Sequence, residues 1–314
     1  MSKGAPGALQ GRRIPFSSLI SHLSLPYWGF KAALWLAARV PRWPAYRLAA
    51  LGGELYYWTN RSHSRKADEN FAVMLADDVG ARRVRDTARR AFRNYAKYLF
   101  DFFRLPAIDP DAFDADVISE GWEHLDAALA RGRGALLVLG HFGNWDLAGA
   151  LVAWRGYPML APVDTFRPPR LDQLIHATRN HAGMSLVPVE QGGALRQIQR
   201  ALRRNQVVAI VFDRPQREGG VEVDFFGAPA WLPAGPARFA LRTGATVLPG
   251  YLLRRPGDLT YLARVEEPVA FTPTGDEEAD VRAYTQAIVA RVEAVLRAYP
   301  DQWYMFRRMW TDES

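Results

Sequence analysis

From residue 135 onward, short apolar runs alternate with stretches of helical spacing, and that alternation limits the fold more than any other feature. The runs are ALLVLG (135–140), PMLAPV (158–163), SLVPV (185–189), QVVAIVFD (206–213), ATVLPGYLL (245–253) and TYLARVEEPVAF (260–271). Between and around them, helices are expected at 122–131, 145–155, 169–182, 193–204 and 233–243. Strands that are apolar at consecutive positions bury both faces, and joined through helices they make a mostly parallel sheet covered on both sides. A further stripe, Val281, Tyr284, Ile288, Val292 and Leu296, predicts a long helix over 277–299 packed on that sheet. The expected fold class is α/β, a mostly parallel central sheet flanked by helices, with a helical N-terminal extension.

The first third has a different character. In residues 82–104, Val84, Ala88, Ala91, Phe92, Tyr95, Leu99 and Phe102 recur at helical spacing with arginines opposite, which predicts an amphipathic helix ending before Pro106. A helical, basic region over 1–105 and an α/β domain over 106–314 are expected. Charge divides the chain at nearly the same place: residues 1–104 hold 18 Lys+Arg against 7 Asp+Glu, a balance of +11, whereas the remainder, with 22 against 26, is −4. A basic lobe of this kind suits an anionic surface, either nucleic acid or phospholipid headgroups. The apolar stretch from Ile14 to Trp43 contains serines, Pro26 and Lys31, and it lacks a signal-cleavage pattern. It also falls short of the ~20 apolar residues of a spanning helix. Its neighbourhood is rich in aromatics (Tyr27, Trp28, Trp35, Trp43, Tyr46, Tyr56, Tyr57, Trp58), edged by Arg39, Arg42, Arg47 and Arg61. That mixture suits a helix lying at headgroup level, and equally helices packed on their own domain.

Several chemistries have no residues to carry them. The chain has no cysteine, so disulfides, thiolate catalysis and cysteine-held metals are excluded, and six scattered histidines offer little for a metal site. There is no G-x-S-x-G, and neither G-x-G-x-x-G nor G-x-x-x-x-G-K-[ST] follows a strand. What stands out is His141, just past the most strand-like run, in GHFGNWD. Ligands of open α/β sheets bind outside the carboxyl ends of strands. Gly140 and Gly143 allow a sharp turn there, and Asn144 can cap the next helix. A histidine so placed can act as a base near neutral pH. Asp146 follows at i+5, which on one straight helix would set the two side chains roughly 140° apart. They can meet only if His141 precedes the helix and Asp146 lies on its first turn. The plain alternative is that His141 packs or caps while Asp146 complements the helix dipole. A base with an orienting acid and no protein nucleophile points to direct attack by a substrate hydroxyl, that is, acyl transfer without a covalent intermediate.

The block GHFGNWDLAG resembles the H-x4-D motif of the lysophospholipid acyltransferase superfamily. Its H-x-G-N-W-D form is similar to the branch holding bacterial lipid A late acyltransferases and phosphatidylinositol mannoside acyltransferases. The likeness continues in order through NYAKYLFDFFRLP (94–106), RNHAGMSLVPV (179–189), VVAIVFDRP (207–215), DFFGAPAWLPAGPARFALRTGATVLPGYLLR (224–254) and YPDQWYMFRRMW (299–310). It spans about residues 30–310.

The resemblance implies a globular acyltransferase, peripheral or interfacially anchored at the cytoplasmic face of the bacterial plasma membrane. It would move a fatty acyl group from acyl-CoA or acyl carrier protein to a hydroxyl of a membrane glycolipid or phospholipid, with no other cofactor and no metal. His141 would be the general base and Asp146 its orienting acid. In the mannoside branch a later glutamate also contacts the catalytic histidine, and the matching position here holds Asp213. Arg179 matches a second-block arginine that can clamp an acceptor phosphate. Arg214, beside Asp213, reads either as a second such clamp or as a salt-bridge partner. Asn144 is expected near the substrate. Gly227 and Gly235 lie in a stretch that can supply backbone N–H groups to a thioester oxyanion, or can be a loop that merely packs. Trp303 and Trp310 read as packing aromatics. Two other classes account for the basic lobe: a non-catalytic membrane-surface scaffold, and a nucleic-acid-binding protein, although no reading motif accompanies the charge.

Overall fold

The computed structural model describes residues 25–76, 80–190 and 192–310. The start of the aromatic stretch, residues 14–24, lies outside them. Seven strands form one sheet in the spatial order β1 (Val117–Glu120), β9 (Tyr261–Val265), β8 (Thr246–Arg254), β2 (Ala135–Leu139), β5 (Val207–Val211), β3 (Met159–Val163) and β4 (Ser185–Pro188). All neighbours run parallel except β8 with β9. The fold class is therefore the expected one.

Every residue of β2 is buried, because successive side chains enter opposite layers. Leu136 and Val138 join the core beneath α11 (Glu277–Ala298), with Ile288 and Val292. Ala135 and Leu137 join the other core, with Leu147 and Leu151 of α7 (Trp145–Trp154). The remaining connections include α6 (Trp122–Ala130), α8 (Pro169–His181), α9 (Ala194–Arg203) and α10 (Gly235–Thr243), each within two residues of its expected bounds.

Two features differ from expectation. The segment 220–233, where the apolar runs mark no strand, is an antiparallel hairpin, β6 (Gly220–Phe225) and β7 (Ala228–Pro233). Its turn, Phe226–Gly227, has positive φ at both residues, the backbone that two-residue hairpins favour. The apolar run at 260–271 forms a strand only to Val265.

The N-terminal helices are α1 (Leu25–Ala37), α2 (Arg42–Thr59), α3 (Arg61–Leu75) and α4 (Ala81–Arg104), followed by the short α5 (Pro110–Asp114). The stripe of α4 is buried as its spacing dictates, at Val84, Ala88, Ala91, Phe92 and Phe102. A buried polar knot ties these helices to the sheet. Asp101 of α4 pairs with Arg254 at the end of β8, and accepts from the hydroxyls of Tyr46 (2.5 Å) and Tyr261 (2.8 Å) and from the Asn144 amide (2.9 Å). A buried ion pair persists where its remaining hydrogen-bonding capacity is filled in this way. Asn144 thus connects the N-terminal helices to the turn that carries His141.

Candidate active site

The parallel pairing of β2 with β5 creates the site. Leu139 is in register with Val211, so two residues later the neighbouring strands leave the sheet as His141 and Asp213. His141 Nδ1 lies 2.6 Å from Asp213 Oδ1, and the His141 backbone N–H donates to Oδ2 at 2.8 Å. The Trp303 indole N–H donates to the same Oδ2 at 2.9 Å. Burial works to raise the pKa of Asp213. The His141 charge, together with the bonds from the His141 ring, Trp303 and the His141 amide, outweighs burial and holds it below the usual carboxylate value. An ionised carboxylate at this distance keeps the proton of a neutral imidazole on Nδ1, leaving Nε2 with its lone pair. A lone pair so presented can accept a proton.

Gly140 makes room for this contact. A Cβ at that position would stand 2.8 Å from Asp213 Oδ2 and 2.9 Å from the Phe142 ring. Gly140→Ala is expected to push the carboxylate off the imidazole and lower turnover by about 10²-fold, since misplacement near 1 Å is enough to do so. Steady-state kinetics would show the loss in kcat with little change in KM.

The turn after Gly140 is held from two sides. The Tyr304 N–H donates to the His141 carbonyl (2.9 Å), the Gly143 N–H to the Gln302 carbonyl (2.9 Å) and the Asn144 N–H to the Leu252 carbonyl (2.8 Å). Gly143 has φ +61°, and a Cβ there would lie 2.2 Å from the Leu252 carbonyl oxygen. Only glycine fits. Asn144 caps α7 by accepting the Leu147 N–H at 3.1 Å.

Asp146 lies on the first turn of α7, buried, and the orienting contact expected of it is made instead by Asp213. The Asp146 oxygens are occupied by Arg179 Nε at 2.6 Å and the Tyr98 hydroxyl at 2.6 Å. Arg179 is therefore engaged with a carboxylate on the edge expected to clamp a phosphate. Burial alone would lower its pKa, but the Asp146 charge holds it above the usual arginine value. Arg214 makes the salt bridge, from Nη1 to Asp164 Oδ2 at 2.5 Å, and stays partly exposed. The Gly227 N–H, proposed for an oxyanion, is spent inside the hairpin on Asp224 Oδ1 at 2.9 Å. Gly235 is the first residue of α10. Trp303 was read as packing, yet it orients Asp213; its indole donor lies 90 residues from its acceptor, and no local pattern reveals such a partner.

The His141 ring meets Trp145 edge-on, with centroids 5.3 Å apart. Trp145 also lines an apolar cavity between α7, α6 and the sheet, walled further by Leu137, Leu139, Ala148, Ala209 and Trp122. His141 thus stands at the side of a slot lined with hydrocarbon. Among the described residues no group of three or more His, Asp or Glu side chains could hold a metal ion.

Comparisons with known proteins agree with this arrangement. The family described as bacterial lipid A biosynthesis acyltransferase matches residues 14–312. A phosphatidylinositol mannoside acyltransferase of Mycobacterium tuberculosis (strain ATCC 25618 / H37Rv) is 33% identical over 291 residues, covering 90% of this chain and 88% of the relative. A protein of the same name from Mycolicibacterium smegmatis is 33% identical over 227 residues, 72% of each chain. A lipid A biosynthesis acyltransferase of Haemophilus influenzae is 23% identical over 249 residues, covering 79% of this chain and 69% of the relative. With nearly its whole length matched, and a strand-end histidine set beside an apolar slot, the chain belongs to the bacterial lipid A biosynthesis acyltransferase family and is a lipid acyltransferase.

Proposed function

We propose that this protein moves a fatty acyl group from the thioester of acyl-CoA or acyl carrier protein directly to a hydroxyl of a glycolipid acceptor. The observation that carries the reading is the His141–Asp213 pair at the carboxyl ends of β2 and β5, beside the cavity lined by Trp145. His141 Nε2 takes the proton of the acceptor hydroxyl, and the oxygen attacks the thioester carbonyl. The carbon–sulfur bond then breaks, the thiolate leaves with the proton returned by the imidazolium, and an ester remains. Asp213 stabilises the imidazolium while it carries the charge. Asp146 acts at one remove, by fixing Arg179 and Tyr98 around the first turn of α7. The cavity beside Trp145, about 40 Å³ as it stands, has room only for the first methylenes of the acyl chain, each contributing about 0.8 kcal/mol when buried.

The acceptor class favoured is a mannosylated phosphatidylinositol, because relatives of that name are 33% identical to this chain while the lipid A enzyme is 23% identical. A membrane-bound acceptor needs a surface that meets the bilayer, and α1 and α2 supply a candidate. Trp28, Trp35, Leu36, Trp43, Leu48 and Leu51 are all at least half exposed. Arg39 lies over the Trp35 ring at 4.3 Å and Arg47 over Trp43 at 5.1 Å, so cations and indoles share one surface. Such surfaces bind at headgroup level, and anionic lipid on the cytoplasmic leaflet strengthens the attachment. No helix among the described residues is long and apolar enough to cross a membrane. Trp35→Ser with Trp43→Ser is expected to reduce sedimentation with anionic vesicles at least tenfold at equal salt, since each indole contributes buried apolar area. Unchanged sedimentation would remove α1 and α2 as the docking face.

Lipids extracted from a strain lacking the protein test the substrate assignment. The expected result is accumulation of a mannosylated phosphatidylinositol lighter by one acyl group by mass spectrometry. An unchanged glycolipid profile, with loss confined to another lipid class, would reassign the acceptor.

A further inference from the structure

The turn that carries His141 is enclosed by a circuit of hydrogen bonds that closes on a single carboxylate. On one side, the Asn144 amide donates to Asp101 Oδ2 at 2.9 Å while its oxygen accepts the Leu147 N–H. Buried and with both ends of its amide engaged, Asn144 supports the turn rather than facing a substrate. On the other side, the Gly143 N–H donates to the Gln302 carbonyl at 2.9 Å. The Gln302 side chain in turn grips the backbone of Arg254, accepting its N–H and donating to its carbonyl, each at 2.9 Å. The Arg254 guanidinium pairs with Asp101 Oδ2, which completes the circuit.

Asp101 is a firm anchor for both arms. It is buried on α4, and both of its oxygens are filled: Oδ1 by the Tyr46 hydroxyl at 2.5 Å, and Oδ2 by Asn144, Arg254 and the Tyr261 hydroxyl at 2.8 Å. Burial first, and then the Asp101 charge, raise the Tyr46 pKa to about 12, so its hydroxyl stays a donor. Tyr98 lies three residues earlier on the same face of α4 and donates to Asp146 on the first turn of α7 at 2.6 Å. One helix therefore holds the start of α7 and the turn before it. A buried polar network with every member satisfied is rigid, and a reacting group must be held within about 0.5 Å of its working position.

We propose that Asp101 is a positioning residue for acyl transfer: through Asn144 and Arg254 it fixes the turn that holds the His141 imidazole on Asp213. The proposal rests on the reading of His141 as the base of that reaction. Asp101 acts on the imidazole at one remove, through the backbone of Gly143 and Asn144. Three variants separate this role from plain stabilisation. Asn144→Ser keeps a side-chain oxygen for the Leu147 N–H, since serine caps helices about as well as asparagine, but gives up the bond to Asp101. Its kcat should fall about tenfold while KM changes less than about twofold, a misplacement below 1 Å being enough. Asp101→Ala removes the anchor and leaves the Arg254 charge buried without its partner, so stability and kcat should both fall.

Asp101→Asn restores an acceptor. Its amide oxygen takes the Oδ2 position with the three donors there, and its NH₂ donates to the Tyr46 oxygen. It should recover most of the kcat lost in Asp101→Ala while melting below the wild type, because the Arg254 charge is still uncompensated. Asn144→Ser should melt above both Asp101 variants, so that the more stable protein is less active than Asp101→Asn. A kcat that follows melting temperature across the three proteins, or wild-type kcat in Asn144→Ser, would overturn the proposal. If Asp101→Ala fails to fold, the other two variants still decide it. A second readout needs no turnover. The Nδ1–H proton of His141, held in a 2.6 Å bond to Asp213, should give a downfield proton resonance that is missing from His141→Ala. Asn144→Ser should move it upfield as the bond lengthens, and a resonance unmoved by that change would count against Asp101 as the support. If the resonance responds in this way but wild-type protein transfers no acyl group, the acyl-transfer reading fails and the positioning of His141 stands.

Discussion

Purified His141→Ala protein is expected to lose acyl transfer by at least about 10³-fold, because a positioned general base contributes 10²–10⁴ and nothing else in the site can replace it. The loss should fall on kcat, since the imidazole acts on the hydroxyl proton as attack begins and contributes little to holding the lipid. The protein should remain folded. The bonds that fix the turn are made by the backbone of residue 141, whose N–H reaches Asp213 and whose carbonyl accepts from Tyr304, and alanine keeps both. Asp213 loses its ring partner but retains two N–H donors. A circular dichroism spectrum and melting transition close to the wild type, alongside the lost activity, would separate a chemical defect from a structural one.

Asp213→Asn is expected to reduce kcat by about 10³–10⁴-fold, for a reason that the hydrogen-bond directions dictate. The Oδ2 position receives two donors, the His141 amide and the Trp303 indole, so the asparagine carbonyl oxygen must occupy it. The side-chain NH₂ then stands where Oδ1 was, 2.6 Å from His141 Nδ1, and can only donate. Imidazole answers by moving its proton to Nε2. The ring keeps its place but presents a hydrogen to the substrate instead of a lone pair. The same variant tests the pH linkage. The folded pKa of Asp213 lies below its unfolded value of ~3.9, so its stabilising contribution is complete above that value and is lost as pH falls through the lower folded value. The stability advantage of wild type over Asp213→Asn should therefore shrink as pH falls below about 4, through the lowered folded value of Asp213. Urea denaturation at several pH values would show it.

The sheet was legible from the sequence because its strands are buried on both faces, which produces uninterrupted apolar runs such as ALLVL that little else explains. The strand β1 was not, because VISE is a four-residue edge strand, half exposed at alternate positions. The hairpin escaped for a related reason: its turn is Phe226–Gly227, without the asparagine or aspartate that usually announces a two-residue turn. Within the site, His141 stood out by its position after a strand, and Asn144 by its place before a helix. The identity of the carboxylate partner did not follow from local spacing. Asp146 is near in sequence but is taken by Arg179, while Asp213 arrives through the register of β2 with β5, a relation between strands 72 residues apart. Trp303 and Asp101 were hidden in the same way, since each is defined by partners brought together only by the completed fold.

Direct transfer from a thioester to a lipid hydroxyl can be followed in one reconstitution. Wild-type protein would be incubated with acyl-CoA and mannosylated phosphatidylinositol in anionic vesicles, with lipid, thiol and intact-protein masses followed together. The lipid should gain one acyl group for each thiol released while the protein mass stays unchanged. Thiol release without acylated lipid, or an acyl adduct on the protein that forms and decays during turnover, would contradict it.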